Sequence, residues 1–205
     1  SVGLFAAEEL VSASGTSIPA DGLIEIVTLD ESGNGTVKTD LPMGGYYVKE
    51  LATDEHYILS DTKYPVTFEY AGQETAKVQL AVNNGEAIEN DLIYGSVSGR
   101  KVNENGEPLG GALIGLFKYN DTEFTKGNAL MTVTSKEDGS FSFEQIPFGI
   151  WYVREIEQPT GFVLNETVYE VNIAENEQVV EIEVVNEFVR GNITLTKVDA
   201  DFPDN

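Results

Sequence analysis

Gly139-Ser-Phe-Ser-Phe-Glu-Gln-Ile-Pro-Phe-Gly-Ile-Trp-Tyr-Val-Arg-Glu155 is the stretch whose reading decides the fold. Apolar and polar residues alternate on both sides of an Ile-Pro-Phe-Gly turn, and the run ends on a glutamate. A period of two puts every second side chain on one face of a strand, and the Pro/Gly pair marks the break between strands. The core of this stretch, Ile146 to Glu155, recurs without a gap upstream as Leu41-Pro-Met-Gly-Gly-Tyr-Tyr-Val-Lys-Glu50. A repeat of this kind means two copies of one folding unit.

The rest of the chain reads the same way. Val2-Gly-Leu-Phe-Ala-Ala7, Leu23-Ile-Glu-Ile-Val-Thr-Leu29, Thr36-Val-Lys-Thr39, Tyr64 to Tyr70 and Ala76 to Val82 are short strand candidates. Glu31-Ser-Gly-Asn-Gly35, Ala71-Gly72 and Asn83-Asn-Gly85 punctuate them. The pattern then restarts with Gly95 to Val102, Ala112 to Lys118, Ala129 to Ser135, Phe141 to Ile146, Val168 to Ile173 and Val179 to Val185. No long window keeps a period of about 3.6 residues, so the expected class is all-β, a sandwich or barrel of short strands. One helical turn is expected near Ala6 to Val11.

A second match sets the domain boundaries. Asn90-Asp-Leu-Ile-Tyr-Gly-Ser-Val-Ser-Gly-Arg-Lys101-Val aligns without gaps to Asn186-Glu-Phe-Val-Arg-Gly-Asn-Ile-Thr-Leu-Thr-Lys197-Val. Each unit therefore ends at an asparagine, and the next begins with a lysine-bearing strand. The expected division is a domain over 1–91 that lacks its first strand, a complete domain over 92–188, and the first strand of a following repeat over 189–205. So divided, the chain reads as an internal piece of a longer repeat protein.

Composition narrows the function classes. Twelve Lys and Arg face 35 Asp and Glu, a formal charge of -23. That balance repels nucleic acid and anionic membrane. Apolar residues at 41% and aromatics spread along the chain argue against disorder. No run is long and apolar enough to span a bilayer. The opening SVGLFAAEEL has no basic leader. Without cysteine there are no disulfides, thiolate metal sites or cysteine nucleophiles. The one histidine, His56, reads as an exposed loop residue and cannot build a zinc site of the usual kind.

The combined order is distinctive. Lys101-Val opens it, followed by Glu107-Pro-Leu-Gly-Gly-Ala112 and Gly115-Leu-Phe117. Asp138-Gly-Ser-Phe-Ser-Phe143, Ile146-Pro-Phe-Gly-Ile-Trp-Tyr-Val-Arg-Glu155, Pro159-Thr-Gly-Phe162 and a last strand ending at Asn186 complete it. This order resembles the SpaA / Cna protein B-type domain of Gram-positive pilins and adhesins, over essentially all of the second domain and most of the first. The resemblance implies two tandem immunoglobulin-like or prealbumin-like β-sandwiches. It also implies an isopeptide bond made by the domain itself, joining Lys101 of the first strand to Asn186 of the last with Glu155 assisting. The chemistry is coherent. Burial disfavours a charged lysine and frees its amine as a nucleophile. A buried glutamic acid hydrogen-bonds the asparagine carbonyl and helps proton transfer as ammonia leaves. The fold makes the reaction intramolecular. From spacing alone, a surface lysine at a strand end, paired with Glu155 and followed by a turn asparagine, fits equally well.

The first domain offers Glu50 and Asn90 without a first-strand lysine. Lys38, Lys49, Lys63 and Lys77 fall on other strands or loops. The partner is expected upstream of Ser1, or else as Lys197 of the tail strand NITLTKV, inserted into domain 1 of a neighbouring molecule. A tail packed on the second domain is the alternative.

Several motifs read as decoys. Leu41-Pro-Met-Gly-Gly45 resembles a sortase signal but has no threonine or apolar span after it. Asp199 to Asn205 has oxygen ligands at calcium-like spacing but lacks the glycine and distal glutamate of a calcium loop. Asn120, Asn165 and Asn192 head glycosylation-type triplets that are common by chance. Phe141, Phe143, Trp151 and Tyr152 fit a core better than a sugar site.

The resemblance thus implies a structural stalk outside the cell, attached to the wall, with neighbouring repeats and other copies as partners. A host matrix protein or glycan would be the parent's ligand. No cofactor, metal or turnover activity is implied, since one histidine permits no Ser/His/Asp set. The rival reading is a carbohydrate- or matrix-binding module that uses the end loops of the sandwich.

Overall fold

A computed structural model of the chain describes residues 1–12, 14–72, 74 and 78–197. The chain forms two units, Ser1–Ile93 and Tyr94–Asn205. Unit 1 contains β1 (Val2–Ala6), β2 (Leu10–Val11), β3 (Ser17–Ile18), β4 (Leu23–Val27), β5 (Gly44–Glu50) and β6 (Lys63–Phe68). Unit 2 contains β7 (Tyr94–Asn103), β8 (Leu113–Lys118), β9 (Met131–Thr134), β10 (Ser140–Pro147), β11 (Gly149–Glu157), β12 (Tyr169–Ile173) and β13 (Val179–Asn186). The fold is all-β, and each unit is a prealbumin-like domain. The helical turn expected over 6–11 is not there: a bend at Ala7 and Glu8 leads into β2, which pairs with β3.

Each unit builds a four-stranded sheet of the same design. In unit 1 the order is β4-β1-β5-β6, and in unit 2 it is β9-β8-β11-β12. Both are antiparallel throughout. The repeated Pro/Gly stretch enters the sheet identically in each. Gly44 and Gly149 have φ of 151° and 130°, values that favour glycine. A Cβ on Gly44 would also strike the Leu10 side chain at 2.3 Å. Two residues further on, an aromatic side chain pins the turn. The Trp151 indole donates to the Pro147 carbonyl at 2.9 Å, and the Tyr46 hydroxyl donates to the Pro42 carbonyl.

The units differ in the second sheet. In unit 2 it is three-stranded, in the order β10-β7-β13. β7 is its hub: it pairs antiparallel with β10 and parallel with β13, from Val179↔Ser96 to Asn186↔Asn103. Buried residues come from both sheets of unit 2. Val97, Phe141, Phe143, Ile146 and Val184 come from one, and Ile114, Leu116, Val153, Val171 and Ile173 from the other. Burying each large apolar side chain contributes about 1.5–3 kcal/mol.

In unit 1 the buried cluster is smaller: Leu4, Ala6, Leu10, Tyr46 and Val48. Val2, Ile24, Val37, Tyr64, Val66, Phe68 and Val82 lie around it only partly buried. Three stretches expected to be strands are not strands here. Residues 36–39 are coil, the described residues 78–81 are coil, and residues 192–197 are coil. The first takes the chain position of β10, before the Pro/Gly turn. The second follows β6 as β13 follows β12, with a helical turn (Val82–Gly85) between it and Asn90. The third aligns with β7. All three therefore correspond to one sheet. A strand without a partner leaves its N–H and C=O groups unpaired, so alternation alone does not make it a strand.

Candidate functional site: a buried lysine, asparagine and glutamate

Alternation brings three polar side chains into the core of unit 2. Along β7 the buried row runs Gly95, Val97, Gly99, Lys101, while Arg100 points outward to within 3.6 Å of Glu183. Along β13 the buried residues are Val184 and Asn186. Along β11 they are Val153 and Glu155. Lys101 is 0% exposed, and Glu155 and Asn186 are 1% exposed.

These three side chains contact one another. Lys101 Nζ donates to Asn186 Oδ1 and, at 3.0 Å, to the Val184 carbonyl. It lies 3.7 Å from Glu155 Oε1, which accepts no hydrogen bond. Asn186 Nδ2 donates to Glu155 Oε2 and to the Val163 carbonyl, both at 2.8 Å. Glu155 Oε2 also accepts from the Asn165 backbone N–H at 2.7 Å. The amide thus turns Nδ2 to the glutamate and its carbonyl oxygen to the lysine. Glu155 faces the amine with one oxygen and accepts from the amide nitrogen with the other. Burial pushes the Lys101 amine below its ordinary pKa, opposed by the Glu155 charge and by its hydrogen bonding.

The same site, minus a lysine, stands in unit 1. Asn90 Nδ2 donates to both Glu50 oxygens and to Thr53 Oγ1, each at 2.9 Å, and to the Ile58 carbonyl at 3.3 Å. The Ser60 N–H donates to Glu50 Oε2 at 3.0 Å, as Asn165 does to Glu155. The surrounding clasp also matches. Ile58 N–H donates to the Asp91 carbonyl and Val163 N–H to the Glu187 carbonyl. Tyr57↔Leu92 and Phe162↔Phe188 form equivalent bridges. Glu50 and Asn90 are half-buried, where Glu155 and Asn186 are buried. Among the described residues no lysine nitrogen bonds to either one. Lys49 pairs with Asp61 and Lys63 with Asp21.

Lys197 is exposed at the end of an exposed stretch, with Ile193 98% and Leu195 87% accessible. Phe141 and Phe143 are buried, and Tyr152 stacks at a tilt on Tyr119 and Phe124. Asp199 to Asn205 lie outside the described residues. Among the described residues no cluster of three or more His, Asp or Glu is arranged to hold a metal, and no helix is long and apolar enough to cross a membrane. Sequence reasoning missed the groups that hold the pair: Asn165 on Glu155 and Val163 on Asn186 in unit 2, Ser60 on Glu50 and Thr53 and Ile58 on Asn90 in unit 1. Their one signal was position, since Ser60 and Asn165 each follow their glutamate by 10 residues.

A family model described as "SpaA: Prealbumin-like fold domain" matches residues 7–84 and again 95–188. The chain belongs to this family. Among solved structures, it resembles the Bacillus anthracis TIE protein at 20% identity and a TM-score of 0.64. The match covers 92% of this chain and 30% of that one, so the chain spans under a third of that protein's length. GBS52, a minor pilin of Streptococcus agalactiae, is similar at 17% identity and a TM-score of 0.42, over 96% of this chain and 85% of that one. BcpA, the major pilin subunit of Bacillus cereus, is similar at 13% identity and a TM-score of 0.43, over 92% and 94%. No curated protein matches the chain.

Proposed function

We propose that this chain is part of the stalk of a Gram-positive cell-surface adhesin or pilin-like protein. In this reading unit 2 is locked by an amide that it makes itself between Lys101 and Asn186. The observation that carries it is the contact of a fully buried Lys101 amine with the Asn186 amide, with one carboxylate touching both. A buried ammonium facing a neutral amide is costly, and the protein keeps it where chemistry requires it.

The steps follow the geometry. The lysine gives a proton to Glu155 Oε1, the unsatisfied oxygen, and its neutral Nζ attacks the asparagine Cγ. The Nζ–Cγ bond forms, Glu155 passes its proton to Nδ2, the Cγ–Nδ2 bond breaks as ammonia leaves, and the second Nζ proton returns to the Glu155 carboxylate, leaving a neutral secondary amide. The fold supplies proximity, and the reaction runs once per chain with no turnover. Burying the reacting groups excludes water, the competing nucleophile.

The bond would join β7 to β13, the first and last strands of unit 2, so tension applied at its ends would bypass β8 to β12. Such a link suits an extracellular stalk with no cysteine for disulfides. In unit 1 the Glu50–Asn90 pair would receive its lysine from another strand, and the tail strand of a neighbouring copy has the right pattern. Single-molecule stretching of the full chain tests the stalk reading. Unit 2 should give no unfolding length in the wild type and a full unfolding step in Lys101→Ala. A wild-type unit 2 that unfolds to its whole length contradicts it.

A further inference from the structure

Asn165 lies in the segment between β11 and β12, at the head of the triplet Asn165-Glu-Thr167. In sequence that triplet is only a chance glycosylation pattern, but in the structure each of its asparagine's polar groups has a partner. The Asn165 backbone N–H donates to Glu155 Oε2 at 2.7 Å. Its Nδ2 donates at 2.8 Å to the carbonyl of Val185, the residue before Asn186 on β13, and lies 3.4 Å from the Tyr169 hydroxyl. Its Oδ1 accepts from the Thr167 N–H at 2.8 Å and closes a local turn. One residue thus holds the acid by its main chain and the amide-bearing strand by its side chain.

The two oxygens of Glu155 are used unequally. Oε2 accepts from the Asn165 N–H and from Asn186 Nδ2, while Oε1 accepts nothing and lies 3.7 Å from Lys101 Nζ. An oxygen that already holds two donors is not the one to take up a proton, so the open Oε1 is the one placed to receive it from the amine. Unit 1 has the other arrangement. The Ser60 N–H donates to Glu50 Oε2 at 3.0 Å and Ser60 Oγ accepts from the Thr62 N–H at 3.2 Å, so the main-chain bond and the local turn are both kept. Serine has no amide donor, and among the described residues Ser60 makes no bond to the segment that carries Asn90. There Asn90 Nδ2 donates to both Glu50 oxygens, each at 2.9 Å, and neither is left open. The tie to the last strand and the open oxygen occur together in unit 2 and are missing together in unit 1.

We infer that Asn165 is a positioning residue for the reaction of Lys101 with Asn186: its tie to Val185 holds the β11–β12 segment against β13, so that its own N–H and the Asn186 amide both fall on Glu155 Oε2 and Oε1 stays open toward the amine. The inference rests on the cross-link proposed for unit 2. The transfer itself is the one given there: Lys101 Nζ replaces Nδ2 on Asn186 Cγ, the protons pass through Glu155, and ammonia leaves. Asn165 touches neither the amine nor the Asn186 amide and acts through the carboxylate. Misplacing a reacting group by a small distance costs rate far more than it costs stability. The tie is a single bond on a half-buried side chain, so its loss leaves the sandwich folded.

The test follows the full chain made by cell-free synthesis, with samples quenched in denaturant at successive times. Intact mass gives the fraction that is one ammonia light, and protease resistance of parallel samples gives the fraction of unit 2 that is folded. Asn165→Ser and Asn165→Asp both keep an acceptor for the Thr167 N–H and both lack the donor to Val185. Each should fold on the wild-type time scale yet lose ammonia about tenfold more slowly, or slower still, per folded molecule. In the Lys101→Ala background, where no bond forms, Asn165→Ser should barely move the melting of unit 2. An asparagine with a structural role alone would lower that melting and leave the rate per folded molecule unchanged. That result, or a rate within about twofold of wild type in either variant, overturns the inference and leaves the cross-link standing. A wild type that stays at the full sequence mass removes the cross-link and the inference with it.

Discussion

Unit 1 and unit 2 build the same four-stranded sheet and the same glutamate–asparagine clasp, yet among the described residues only unit 2 has a three-stranded sheet and a lysine in its core. The difference traces to one strand. β7 supplies both ladders of the second sheet, the Val97 and Val102 contributions to the core, and the amine at the site. Where no strand takes that place, the flanking segments stay coil and the residues beneath stay partly buried. In unit 2 the first strand is therefore at once a structural hub and the carrier of the buried amine.

This comparison is broken or sharpened first by removing each asparagine in turn. Asn186→Ala would remove the proposed cross-link across an 85-residue span, whose loop entropy is about 4–5 kcal/mol on the scale used for disulfides. It also takes from the buried Lys101 amine a hydrogen-bond partner, a loss of about 1–3 kcal/mol. Thermal unfolding of unit 2 should fall steeply. Asn90→Ala should cost about 1–2 kcal/mol, the scale of half-buried neutral hydrogen bonds. Equal losses in the two units would refute the proposed asymmetry. Hydrogen exchange should rank the units likewise, with amides of β1 and β5 exchanging faster than those of β8 and β11.

Next comes pH. In the Asn186→Ala chain the Lys101 amine stays free, and burial holds its folded pKa below the ordinary 10.5. Between the lowered folded value and 10.5 the unfolded chain binds a proton that the folded chain has released. Stability should therefore rise with pH through that window and level off above it. The added change Lys101→Met should remove this rise, as read by denaturant unfolding across alkaline pH. A rise that survives in the double variant would assign it to other groups. The smallest effect is expected at the surface. Asp61→Ala breaks the ion pair with Lys49 and should change stability by less than about 1 kcal/mol, since Asp61 is 94% exposed.

Much of this was legible in the sequence. The repeated Pro/Gly turn located β5 and β11, and the family resemblance singled out Lys101, Glu155 and Asn186, whereas alternation alone fitted a surface Lys101 equally well. Residues 36–39 and 192–197 also alternate, and were expected to be strands. Alternation reports a face to bury but says nothing about a partner for the backbone. The clasp was hidden for a related reason. Asn165 and Ser60 act through their backbone N–H, and Val163 and Ile58 through their carbonyls, groups every residue carries. The fit of Gly99 against the Phe141 ring emerged only once the register was known.

The central claim is that unit 2 carries an amide between Lys101 and Asn186. The most direct measurement is the intact mass of the denatured, purified monomer. The account predicts a mass one ammonia below that of the sequence, returning to the full mass of the variant sequence in Lys101→Ala and in Asn186→Ala. A wild-type monomer at the full sequence mass would contradict it.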